Sequence, residues 1–192
     1  MNITLQEALD TLLAANNIII TSHLNPDGDS VGSSWGLAHF LRGLGKQVSV
    51  MIDDEIPSGL NNLSFVEEIL LPEEDKAYQA DLLVVLDTTL DLIGRVAESV
   101  KAPVLNIDHH PTNDGKADKL YLDGERAATA EIIFQLLDLA GAEFSKDTAM
   151  AIYTGLATDT GFFRFSNTNP LTMRAAARML GRSPISSPKL WK

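Results

Sequence analysis

Apolar positions recur along this chain with two periods, one helical and one strand-like, and they alternate from end to end. Leu5, Leu9, Leu12 and Leu13 form one face of a helix from about Thr4 to Ala15, and Thr4 with Glu7 three residues on is a capping-box pattern. Ile18 to Ser22 is a largely β-branched run that predicts a first buried strand and delivers His23 into the loop Leu24-Asn25-Pro26-Asp27-Gly28-Asp29. From Ser30 the pattern turns helical through Trp35, Leu37, Ala38 and Leu41, with Gly43 and Gly45 as stops. Val48 to Ile52 predicts a second strand, followed by a loop marked by Asp53, Asp54, Pro57 and Gly59 and by a loosely helical stretch to Ala80. Leu82 to Leu86 is uninterrupted and apolar, as a strand covered on both faces should be, and it ends on Asp87. A helix from about Leu90 to Val100 leads to a strand that begins at Val104 and stops on Asp108-His109-His110, with Pro103 placed where it costs no ladder bond. Asp114 to Asp123 reads as an irregular polar connection. Helices follow over Thr129–Leu139 and Ser145–Thr158, then an edge strand at Phe162–Phe165 and a helix from Pro170 to Leu180.

This alternation predicts an α/β fold with a mostly parallel sheet flanked by helices on both faces, and in such sheets ligands bind beyond the carboxyl ends of the strands. His23, Asp87 and Asp108 each follow an apolar strand at that end, which points to one shared crevice. The domain is expected over residues 1–181, with a Ser/Pro-rich tail or linker remnant at 182–192.

Composition narrows the chemistry. Fifteen Lys and Arg against 26 Asp and Glu give a net charge of −11, so a long duplex polyanion should be repelled. No cysteine is present, which excludes disulfides, thiolate metal sites and thiol catalysis. The start carries no basic region and no apolar run is long enough to span a bilayer, so the expectation is a cytoplasmic protein without a membrane partner.

His23, Asp27, Asp29, Asp87, His109 and Asp159 supply two imidazoles and four carboxylates, more converging negative charge than is stable without cations. Oxygen-rich ligation with some imidazole suits Mn²⁺ or Mg²⁺ better than Zn²⁺. Two such ions would be nearly neutralised by four carboxylates, would call for a bridging carboxylate, and would favour in-line phosphoryl displacement by water. A competing signal is Gly32-Ser33-Ser34-Trp35-Gly36, a literal G-x-S-x-G with Asp87 and His109 in triad order. Ser34 lies twelve residues past Ser22 and inside a predicted helix, so it is not a nucleophile elbow; the two glycines read as close packing of helix on sheet. Asp53, Asp54, Glu73, Glu74 and Asp75 read as solvated surface, Trp35 as core, and Arg164 as a candidate phosphate contact ahead of Arg95 and Arg126.

Four separated stretches also resemble, in order, the motifs of the DHH phosphoesterase superfamily: His23-Leu-Asn-Pro-Asp27-Gly28-Asp29-Ser30, Asp87 at a strand end, Asp108-His109-His110, and Thr158-Asp159-Thr160-Gly161. The branch it is most similar to is the bacterial nanoRNase group, bifunctional oligoribonuclease and 3′-phosphoadenosine 5′-phosphate phosphatase. The resemblance covers about residues 1–181 and implies one metal on His23, Asp27 and Asp87 and a second on Asp29, Asp87, His109 and Asp159, with Asp87 bridging. It further implies that His110 contacts or protonates the phosphate while Asp108 orients the histidines. Two Mn²⁺ ions, with Mg²⁺ as the substitute, and a short oligonucleotide or phosphorylated nucleotide are the expected cofactor and partner, and a homodimer is left open. Nothing after Gly181 resembles the DHHA1 lobe that members of the group carry, so the catalytic lobe alone is expected. The rival readings are a family II-type inorganic pyrophosphatase and a non-catalytic metal-dependent nucleotide-binding module.

Overall fold

The computed structural model describes residues 1–182, so the expected tail lies, from residue 183 on, outside the described residues. In chain order the elements are α1 (Leu5–Ala14), β1 (Asn17–Thr21), α2 (Gly28–Gly43), β2 (Gln47–Val50), β3 (Tyr78–Gln79), β4 (Leu82–Leu86), α3 (Val96–Ser99), β5 (Val100–Lys101), β6 (Val104–Asp108), β7 (Lys119–Leu122), α4 (Thr129–Leu139), α5 (Lys146–Asp159) and α6 (Pro170–Leu180). Five strands form one sheet in the order β2-β1-β4-β6-β7, every pair parallel, and β3 with β5 forms a separate two-stranded sheet. From β1 the chain first builds outward to β2 and then returns to place β4 on the other side of β1. The order therefore reverses between β1 and β4, and a crevice opens at their carboxyl ends, the usual ligand position in such sheets.

The central strands are apolar throughout because both faces are covered. Ile18 and Ile20 of β1, Leu82, Val84 and Leu86 of β4, and Leu105 and Ile107 of β6 face the large core, which is completed by α1, α2, α4, α5 and α6. Ile19, Leu83 and Val85 point the other way, into a smaller core with Met51, Ile93, Val96 and Val100 beneath α3 and the small sheet. Pro103 is accommodated because its carbonyl accepts from Leu83 N (2.9 Å) while no donor is asked of it. None of the described helices is long and apolar enough to cross a membrane.

Helix α2 is the buried centre of the large layer, and its tightest packing is against α5. Gly28, Gly32 and Gly36 repeat every fourth residue along one face. A side chain at Gly32 would run into the Ala151 carbonyl and come within 3.0 Å of Gly155 N; one at Gly36 would lie 3.0 Å from Ile152. The glycines thus bring helix against helix, not helix against sheet as the sequence suggested. Ser34 is fully buried in mid-helix, with no access to a substrate.

Several local expectations are overturned. α2 begins at Gly28 with Asp27 as its N-cap, so Asp29 sits in the first helical turn and not in a loop. The stretch before Ala80 is not helical: it holds two short 3-10 turns, a bridge from Met51 to Leu70 and the two-residue β3. The helix expected over 90–100 is broken at Gly94, which has φ 59° and leaves only a 3-10 turn and the four-residue α3. The polar connection contains β7, which pairs with β6 along Leu105 to Asp108. Phe162–Phe165 is a turn and not a strand: Gly161, Phe162 and Phe163 take φ of 53°, 59° and 63° in succession.

The glycine spine generates a paired test of this packing. Gly32→Ala is expected to lower unfolding free energy by about 1–3 kcal/mol through overpacking. Gly43→Ala, at the last position of α2 with nothing within 4 Å, is expected to be neutral or slightly stabilising. Chemical denaturation of the two variants beside the parent checks both outcomes.

Candidate metal centre

Three strands and two helices converge on the crevice. β1 ends one residue before Ser22 and hands over His23; β4 hands over Asp87; β6 ends on Asp108 and is followed by His109 and His110; α2 starts with Asp27 and Asp29; α5 ends on Asp159. Three groupings arise, each with one ligating atom per residue and all such atoms within 4.8 Å of one another: His23 with Asp27 and Asp87, Asp29 with His109 and Asp159, and Asp87 with His109 and His110. The sequence-derived set is therefore brought together, with Asp87 shared between groupings.

Asp87 occupies the centre. It is 3% exposed and held at φ 64°, a left-handed conformation that costs a non-glycine residue free energy and recurs where a side chain must be aimed. Its Oδ2 lies 3.6 Å from His23 Nε2 and its Oδ1 3.5 Å from His109 Nε2, so the two oxygens address different imidazoles. Thr129 Oγ1 donates to Oδ1 (3.0 Å) and fixes the carboxylate plane. His109 Nε2 also lies 3.7 Å from Asp159 Oδ2, and His23 Nε2 3.9 Å from Asp27 Oδ1.

Each imidazole is turned by a bond on its other nitrogen. His23 Nδ1 pairs with the Leu24 carbonyl (2.7 Å) and His109 Nδ1 with the Arg126 carbonyl (3.2 Å), which makes Nδ1 the donor and leaves the Nε2 lone pair facing the carboxylates. His110 Nδ1 is bound to Asp108 Oδ1 (2.8 Å), leaving Nε2 of this half-exposed ring for the crevice. Asp108 itself is completely buried and is further held by His110 N (3.1 Å) and Asn113 Nδ2 (2.7 Å).

Asp29 carries a second duty that its sequence position does not announce. Its oxygens accept from Thr129 N (2.6 Å) and Ala130 N (2.8 Å), the first amides of α4, where the N-cap Ala128 has no side-chain acceptor. A carboxylate oxygen has two lone-pair sites, so this capping across the fold leaves one on each oxygen. Asp27 caps α2 through Asp29 N (3.0 Å) and Ser30 N (2.9 Å).

The titration of these groups registers the crowding. Burial pushes the Asp29 carboxyl well above its ordinary range, and repulsion from Asp87 and Asp159 adds to it. Asp159 is raised to about 6 by burial and by Asp87, against the pull of His109. His23 is raised to about 9, chiefly by its contact with Asp87. His110 is raised by Asp108; for Asp108, burial acts upward but hydrogen bonds from His110 and Asn113 prevail and hold it below the usual range. Without cations the cluster thus retains protons, which is how excess buried negative charge is relieved when no metal does so. The oxygen-rich donor set, the freed Nε2 atoms and this uncompensated charge all fit divalent cations.

Supporting residues escaped the sequence reading. Asn106, a polar residue in mid-strand, donates to Val85 O and Thr88 O (both 2.9 Å) and accepts from Asn113 (2.8 Å), tying β4 and β6 behind Asp108. An asparagine inside an apolar run is the signal that could have found it. Asp53 and Asp54 are not free surface acids: Asp53 accepts from Arg95 N (2.6 Å) and Nε (2.8 Å), and Asp54 from Asn25 N (2.9 Å). Arg95 and Arg126 are consumed structurally, the latter 3.0 Å from Asp123 and 3.4 Å from the fully buried Glu131. Arg164 lies in the turn after Asp159, its Nε donating to Gly161 O (2.8 Å), and it is not among the residues lining the crevice. Trp35 is core, stacked on Phe65 at 5.0 Å.

Comparison with known proteins identifies the chain's relatives. The chain is 41% identical over 164 residues to the "Bifunctional oligoribonuclease and PAP phosphatase NrnA" of Thermus thermophilus, a match that covers 85% of this chain and 49% of that protein. It spans about half the length of that relative. An exopolyphosphatase-related protein from Bacteroides fragilis superposes with TM-score 0.82 at 30% identity, covering 92% of this chain and 57% of that one. A putative family II inorganic pyrophosphatase of Methanococcus jannaschii shares the fold, with TM-score 0.69 at 22% identity, over 88% of this chain and 57% of that one. The description "DHH family, N-terminal domain" matches residues 17–156, a span that runs from β1 into the last turn of α5 and takes in His23, Asp27, Asp29, Asp87 and the Asp108-His109-His110 triplet. On that span, and on the cluster those residues build, the chain belongs to the DHH family.

Proposed function

We propose that this chain is the catalytic domain, residues 1–181, of a metal-dependent phosphoesterase that hydrolyses short oligoribonucleotides or nucleotide phosphates such as 3′-phosphoadenosine 5′-phosphate. The observation that carries the reading is the posture of Asp87, whose two oxygens face His23 and His109 separately. A buried carboxylate so placed is suited to bridge two cations. One would be held by His23, Asp27 and Asp87, and the other by Asp29, Asp87, His109 and Asp159. Two divalent ions, Mn²⁺ foremost, would supply Lewis acidity to the phosphoryl oxygens and lower the pKa of the attacking water.

The chain's own groups account for the remaining tasks. His110 lines the crevice with Nδ1 committed to Asp108, so Nε2 alone can meet a phosphate oxygen or give a proton to the departing oxygen as the P–O bond breaks. Asp108, hydrogen-bonded to that imidazole, raises its pKa and so favours the charged form that both tasks require. Water adds across one P–O bond and leaves either a nucleoside monophosphate and a shortened strand or orthophosphate and adenosine 5′-monophosphate. The activities named for the Thermus thermophilus relative support the substrate class.

The direct test is Mn²⁺-dependent hydrolysis of an RNA dinucleotide and of 3′-phosphoadenosine 5′-phosphate by the 192-residue chain. Turnover that is abolished by chelation is expected; a protein that binds metal and turns over neither substrate would contradict the proposal. Asp87→Ala should lose both metals by elemental analysis, whereas His110→Ala should keep both and slow turnover by roughly 10²–10⁴. Unchanged metal content in Asp87→Ala would defeat the bridging role. Metal binding should also release protons, because His23, raised to about 9, must shed its proton to ligate. Apparent affinity is therefore expected to climb with pH, about tenfold per unit as pH rises from 6 toward 9. Calorimetry in buffers of different ionisation enthalpy reads the released protons, and a pH-independent affinity would contradict this ligand role.

A further inference from the structure

The crevice over the metal cluster has a volume of about 510 Å³, in the range of sites that take small organic ligands. Its chemistry is lopsided. The floor is the carboxylate and imidazole cluster, and one wall carries Leu24 and Leu92, respectively 37% and 53% exposed. None of the described residues lining it is a lysine or an arginine.

Those two leucines are held in place by a built framework. Leu24 N donates to Leu92 O (2.9 Å), joining the loop after β1 to the loop after β4. The next residue, Asn25, is held in the left-handed region (φ 54°) by Asp54, whose Oδ2 accepts its amide at 2.9 Å. On the other side Gly94 is also left-handed (φ 59°), and a Cβ there would lie 2.9 Å from Leu24 Cδ2, so the backbone of one loop packs directly against the leucine of the other. Asp53 then clamps Arg95 by its amide and its guanidinium. Two adjacent acids in the loop after β2 thus pin both loops, and the left-handed turn at Asn25, a residue type that tolerates it, presents aliphatic surface to solvent beside the cluster.

Resting on the phosphoesterase reading, we propose that Leu24 and Leu92 form an apolar wall that receives the nucleobase of the substrate while its phosphate lies over the cluster. Among the described residues, charge favours this occupant over inorganic pyrophosphate. Pyrophosphate is anionic at both ends and calls for cationic side chains at its second phosphate, where this crevice offers aliphatic carbon. A nucleoside presents a neutral, flat, largely apolar base, and burying it against leucine gains free energy in proportion to the area removed from water. Leu24 and Leu92 are accordingly specificity residues, and Asp53 and Asp54 position them.

The test compares two ligands that share a phosphate and differ by the base, adenosine 5′-monophosphate and ribose 5-phosphate, as binders of the Mg²⁺-loaded chain. The parent chain should bind the adenylate about tenfold more tightly. Leu92→Ser, and separately Leu24→Ser, should bring adenylate affinity down toward that of ribose 5-phosphate without moving the latter, with elemental analysis confirming that the metals remain. Equal affinities in the parent chain, or full discrimination retained in both variants, would overturn the wall, and the parent measurement stands even where a variant fails to fold. Because binding is read here and hydrolysis elsewhere, failure of the wall is distinguishable from failure of the phosphoesterase reading.

Discussion

Crowding Asp29 and Asp87 together with Asp159 at one end of the sheet concentrates buried negative charge that no described lysine or arginine of the crevice offsets, and the rest of the molecule can be understood as the apparatus that tolerates it. Arg95 is spent on Asp53 and Arg126 on Asp123 and Glu131, and none of the described residues lining the crevice is a lysine or an arginine. Compensation comes instead from directed hydrogen bonds: the first two amides of α4 on Asp29, the Thr129 hydroxyl on Asp87, and Asn113 with the His110 amide on Asp108. α4 gains a cap it lacks in its own sequence, and Asp29 gains two donors. One interaction serves the fold and the site together.

That economy depends on close approach. Asp29 can reach α4, and Gly155 can pass beside it, only because small residues let α2 lie directly on α5: a side chain at Gly155 would meet both Ala130 and Asp29. The same packing sets the start of α2, with Asp27 and Asp29, beside the end of α5, with Asp159. The strand order places His23 and Asp87 next to one another at the switch between β1 and β4. The candidate ligand set is thus a product of layer geometry, with each member at the terminus of an element and none in mid-element.

How much of this was legible in the sequence follows from the length scale of each feature. Long periodic segments such as Thr129–Leu139 and Pro170–Leu180 stand where the spacing predicts them, because a helix of that length averages over many side chains. The apolar runs Leu82–Leu86 and Val104–Ile107 announced buried strands and, through the acids that end them, the crevice. What could not be seen was set by tertiary pairing. β7, with its polar flanks, is a strand because β6 offers it an edge, and the Phe162–Phe165 run is a left-handed turn because the chain must reverse at the end of α5. Asp53 and Asp54 resembled surface acids in sequence, since their partners Arg95 and Asn25 lie 42 and 29 residues away. The same distance in sequence hid the capping role of Asp29, whose partners are 100 and 101 residues on.

The central claim is that one buried carboxylate, Asp87, organises two cations at the end of a parallel sheet. Crystals grown with Mn²⁺ and recorded at the manganese edge test it most directly. The account requires two anomalous peaks, one between His23, Asp27 and Asp87 and the other among Asp29, His109 and Asp159, with an oxygen of Asp87 against each. A single peak, or two that do not share Asp87, would contradict it.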